Sequence, residues 1–109
     1  MTQPQLLAAM NRLGAEQHLA ARWRYALEPV CRFEIHVRNG DSTQRAAALE
    51  GATIQTRSED QMIHILVRPQ ANPESAAVLA LKSHRWSDSV RMQSLLAHLE
   101  RSCSAPATA

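Results

Sequence analysis

The chain has 109 residues, 45% of them hydrophobic, with a net charge of +2. A chain of that length buries about two-thirds of its unfolded surface, so one modest core is expected rather than two. The slight charge argues against a dedicated nucleic-acid arm, and the longest apolar run, Ala76 to Leu81, is far short of the ~20 residues that cross a bilayer.

The N-terminal residues lack the basic start and long apolar stretch of an export signal, so neither export nor membrane insertion is expected. Residues 4 to 28 have no strong breaker. They carry Leu6, Met10 and Leu13 at helical spacing, then Leu19, Trp23 and Leu27 on a displaced stripe after Gly14. That pattern predicts one bent helix or two short ones, ended by Pro29. One of the two displaced stripes would lack a mate within the chain, which makes a homodimer plausible. Trp23 and Tyr25 cannot share a helix face, so one points away from the core; with Trp23 inside, Tyr25 rests on the sheet edge or, with Arg22, makes a small exposed patch.

Residues 30 to 38 alternate apolar and polar side chains with a period of two and predict a half-buried β-strand. Cys31, Phe33, Ile35 and Val37 face the core, which sends Arg32, Glu34, His36 and Arg38 to the other side. Asn39-Gly40 closes the strand and opens onto a type I′ hairpin or a loop to a helix. Ser42 and Thr43 as caps, three alanines within Gln44 to Glu50, and Gly51 at the end favour a short helix. Ala52 to Arg57 and Met62 to Arg68 read as a hairpin closed by Ser58-Glu59-Asp60-Gln61. Asn72-Pro73-Glu74 is a helix start, and that helix is expected to run to about Arg85. A last helix, 88 to 101, carries Met92, Leu95, Leu96 and Leu99 on one stripe, with Trp86 packed in the corner between the two.

The expected fold is therefore α+β. It is a small two-layer domain with a three-stranded, mainly antiparallel sheet packed on helices, in the order α-β-α-β-β-α-α. Residues 1–101 form a single domain and 102–109 a disordered tail. A split arrangement, with the third strand between the first two, is permitted by the right-handed crossover rule. Eleven of the twelve basic residues are Arg, with Lys82 the exception, a bias that a GC-rich bacterial genome would produce. Cys31 and Cys103 show no C-x-x-C spacing and no framework, which points to a reducing cytosol.

Parity across the three strands puts Arg32, His36, Arg38, Arg57, Met62, His64, Leu66 and Arg68 on one sheet face, with Glu34 as the single acid. Met62 and Leu66 among arginines suit a surface that another chain covers. The function expected is that of a non-catalytic interaction protein, a small regulator, inhibitor or adaptor. Its arginines would pair with carboxylates of an acidic protein surface. The alternative is a DNA- or RNA-binding regulator using the same face, although no outward aromatic offers a stacking platform, or using the last two helices as a weak helix-turn-helix. His36, His64 and Glu34 form a loose constellation for metal or acid/base work, and the arginines around them disfavour a cation. No nucleophile elbow or phosphate-binding glycine loop is present. No cofactor, metal or catalytic residue is expected.

Overall fold

Thr2 and Gln5 begin the first helix with a reciprocal cap: Gln5 N–H donates to Thr2 Oγ1 at 3.3 Å and Thr2 N–H to Gln5 Oε1 at 2.8 Å. The structure, a computed structural model, describes residues 1–16, 21–70 and 77–104. Helix α1 (Gln3–Ala15) leads into strands β1 (Arg22–Glu28), β2 (Arg32–Asn39) and β3 (Asp41–Ala48). Strands β4 (Thr53–Glu59), β5 (Met62–Arg68) and β6 (Val78–Ser83) follow, and helix α2 (Trp86–Ser104) ends the described chain. The strands form two antiparallel three-stranded sheets, β1-β2-β3 and β4-β5-β6. Two sheets in the order α-β-β-β-β-β-β-α thus replace the single sheet expected, and no strand is inserted between others as the split arrangement would need.

Three segments account for the difference. Residues 22–28 are a strand, not helix, because in a strand Trp23 and Tyr25 do share a face, and both are buried there. The exposed Tyr25 patch is overturned with it. Residues 41–48 continue the hairpin from β2 rather than coil into a helix: Gly40, at φ +78°, turns the corner, and the pairing carries Ala47 and Leu49 into the core. Residues 78–83 are a strand whose both faces are largely covered, an apolar run whose period alone cannot separate helix from strand. With that helix gone, so is the helix-turn-helix. The helix start at Asn72-Pro73-Glu74 and Leu19 of the displaced stripe lie outside the described residues.

The inner faces of both sheets and the two helices share one core, with Phe33, Ile35, Ile65, Leu81, Met92 and Leu96 fully buried. Tyr25 crosses it, donating its hydroxyl to Ala80 O of the other sheet at 2.6 Å. Gly14 lets α1 lie directly on β1, since a Cβ there would fall 2.9 Å from Trp23 Cβ and closer still to the Trp23 carbonyl oxygen. Trp86, expected in a packed corner, is 67% exposed at the start of α2.

The C-terminal turn of α2 is tied down. Cys103, expected in a loose tail, is bonded to Cys31, and Gly51 N–H donates to Glu100 Oε2 and Ser104 Oγ, both at 3.1 Å. Cys31 itself sits in the β1–β2 turn rather than in a strand. The tail residues 105–109 lie outside the described residues. Among the described residues no helix is long and apolar enough to cross a membrane.

Candidate anion-binding groove

Because Trp23, Tyr25, Phe33 and Ile35 turn inward, their neighbours Arg22, Arg24, His36 and Arg38 must turn outward on β1 and β2. The antiparallel register then sets them against one another: Arg22 lies opposite Arg38, and Arg24 opposite His36. Ser42 and Gln44 of β3 extend the same two rows. These six side chains line an open groove of about 770 Å³, bordered also by Asn11 and Ala15 of α1.

Arg22, Arg24 and Arg38 thus bring three guanidinium groups to one outward face of β1 and β2, a surface that an anionic group complements. Farther along β2 the balance changes. The two oxygens of Glu34 lie 3.5 Å from Arg32 Nε and 3.7 Å from His36 Nε2, so Arg32 already has its carboxylate. The groove therefore has a basic end, at Arg24 and Arg38, and a neutralised end at Arg32 and Glu34.

The eight residues expected on one face do not meet. Arg32, His36 and Arg38 belong to the first sheet, whereas Arg57, Met62, His64, Leu66 and Arg68 belong to the second. In the second sheet Arg57, His64 and Lys82 form a cross-strand row, with Glu59 Oε2 3.9 Å from His64 Nδ1. Leu66, offered as exposed contact surface, is buried next to the irregularity in the β5–β6 register. His36 and His64 stand on different sheets, each beside a carboxylate of its own, so the joint constellation with Glu34 does not form.

Arg22 and Arg24 fall outside the site the sequence predicts, because the apolar residues of 22–28 also fit a helical period. Their signal was the alternation Arg-Trp-Arg-Tyr, which has the period of a strand. Comparison with protein-family models, curated proteins and solved structures finds no match, so the groove is read from its own geometry.

Proposed function

We propose that the protein is a non-catalytic binding module that holds an acidic segment of a partner protein in the groove of the β1-β2-β3 sheet. Arg24 and Arg38 pair with its carboxylates, and Ser42 and Gln44 donate hydrogen bonds alongside them. The observation that carries this reading is the register that sets Arg38 opposite Arg22 and Arg24 opposite His36 in neighbouring cross-strand rows of one outward face. Arg57, Met62, His64 and Arg68 have no part in it, since those residues stand on the other sheet.

Nucleic acid is the weaker ligand for this groove. Its arginines would neutralise phosphates, but the aromatic residue bordering it, Trp23, is only 5% exposed and presents no ring for a base to stack on. The cytosolic setting expected from the cysteine spacing sits against the Cys31–Cys103 bond, since a reducing compartment keeps thiols apart. Thiol trapping at cell lysis distinguishes the two settings.

The functional test is fluorescence anisotropy with a labelled Asp/Glu-rich peptide, a random DNA duplex and a random RNA, each titrated across salt. The peptide should bind, and Arg24→Glu with Arg38→Glu should abolish that binding while leaving the circular dichroism spectrum unchanged. A peptide that binds the double variant equally well removes the groove from the argument. Binding of DNA or RNA alone, weakening steeply with salt, would transfer the site to nucleic acid.

A further inference from the structure

The first sheet has two outer edges of different character. The edge of β1 is closed by α1, where Asn11 accepts from Tyr25 N–H and donates to Tyr25 O. The edge of β3 is unpaired: every residue from Asp41 to Arg45 is exposed, and among the described residues β3 pairs with β2 alone, although Asp41, Thr43 and Arg45 share a cleft with Leu79 and Lys82 of β6. A strand of eight residues without proline or bulge is a template for another strand unless something blocks it. Only Asp41 and Arg45 put charge on it.

Those two charges suit a second copy of the same strand. When two copies pair antiparallel about a twofold axis normal to the sheet, each residue meets one whose side chain points to the same face, so odd-numbered residues meet odd ones and even meet even. A register centred on Arg45 would set two guanidinium groups against each other. One centred on Gln44 sets Arg45 against Thr43 and leaves Asp41 opposite Ala47. One centred on Thr43 sets Asp41 against Arg45 twice and Ser42 against Gln44 twice, so that both charges are matched in both copies.

We propose that β3 is a self-association edge, through which two copies of this chain pair antiparallel about Thr43 into one continuous six-stranded sheet. The outer face gains by it. The row Arg22, Arg38, Ser42 then continues into Gln44, His36 and Arg24 of the second copy, and the two grooves become one basic belt. The association does not rest on the acidic-ligand reading, because Arg24 and Arg38 take no part in the strand pairing. Five paired residues per copy fall well below the ~1,200 Å² of a stable specific interface, so the dimer is a weak one that forms at high protein concentration.

Sedimentation velocity of the full chain across concentration, for wild type, Asp41→Arg, Arg45→Asp and the double charge swap, tests it. The wild type should dimerise, each single reversal should weaken association at least about fivefold, and the double swap should restore it. A wild type that is monomeric at about 1 mM overturns the proposal, as does a dimer indifferent to both single reversals, or a double swap that stays as weak as the singles. Cysteine placement checks the register without disturbing charge. Under mild oxidation Thr43→Cys should cross-link two copies, since position 43 meets itself, while Gln44→Cys should not; the reverse pattern refutes the register about Thr43.

Discussion

Asn11 and Tyr25 face each other across a helix and a strand edge and exchange two hydrogen bonds: Tyr25 N–H to Asn11 Oδ1 at 2.7 Å, and Asn11 Nδ2 to Tyr25 O at 3.1 Å. The side-chain amide thus takes the place of a neighbouring strand and satisfies both backbone groups that β1 turns outward at that residue. Asn11→Ala leaves both without a partner in a partly buried setting, and should cost about 1–3 kcal/mol of stability in urea unfolding. An unchanged midpoint would mean that water replaces the amide at no cost.

Tyr25 also ties the two sheets together through Ala80 O, and it is the single tyrosine of the chain. Burial pushes its hydroxyl well above the ordinary value near 10, because the phenolate would have to form away from water. The folded pKa is therefore higher than the unfolded one. The stability this contributes is present below about pH 10 and is lost above it, at about 1.4 kcal/mol per pH unit. Tyr25→Phe should remove that alkaline slope, and should cost about 1–3 kcal/mol at neutral pH by leaving the Ala80 carbonyl unpaired. Phenolate absorbance in the native protein should rise only together with unfolding; a rise near pH 10 with the fold intact would contradict the burial.

Val30 sits in the β1–β2 turn at φ +63° and is 90% exposed. A β-branched residue in the left-handed region is strained by contact of its Cβ with the following carbonyl, and here no burial offsets that cost. Val30→Asn should stabilise the protein by about 1 kcal/mol, read as a higher urea midpoint with the same slope. A lower midpoint would show that the valine side chain has packing value in this turn.

The adjacent Cys31 joins Cys103 across 72 residues of sequence, while Leu49 N–H donates to Cys31 O at 3.0 Å. The bond therefore closes most of the chain into a loop and clamps the end of α2 beside the β3–β4 connection. Reduction, or Cys31→Ser with Cys103→Ser, should lower stability by about 4 kcal/mol on the chain-entropy account. Thermal unfolding with and without reductant measures this. A shift of under about 1 kcal/mol would place the stability in the core packing instead.

The parts of the fold that were legible in the sequence are those in which a pattern had one reading. The alternation from Arg32 to Val37, the strand Met62–Arg68 and the stripe Met92, Leu95, Leu96, Leu99 all stand where period and spacing put them. What was not legible turned on tertiary partners. Ala46 to Ala48 favour helix by propensity, yet the register with β2 makes them strand; Val78 to Leu81 fit either period, and burial on both faces decides. The site was half visible for the same reason. His36 and Arg38 lie on the unambiguous strand, while Arg22 and Arg24 lie on the segment whose apolar residues also matched a helix.

Arg38 offers a case in which stability and binding should move in opposite directions. It lies directly across from Arg22, and among the described residues no acid pairs with it. Arg38→Thr removes a like-charge cross-strand pair and installs a β-branched residue on an exposed strand position, so the sheet should gain about 0.2–1 kcal/mol. Since the repulsion acts through solvent, the gain should shrink as salt rises. The same substitution takes one cation from the groove and should weaken capture of an acidic peptide several-fold at low salt. A variant that is more stable and also binds less well is what an arginine retained for its ligand would give. If Arg38→Thr is instead destabilising and leaves peptide binding untouched, the arginine serves the sheet and not the groove.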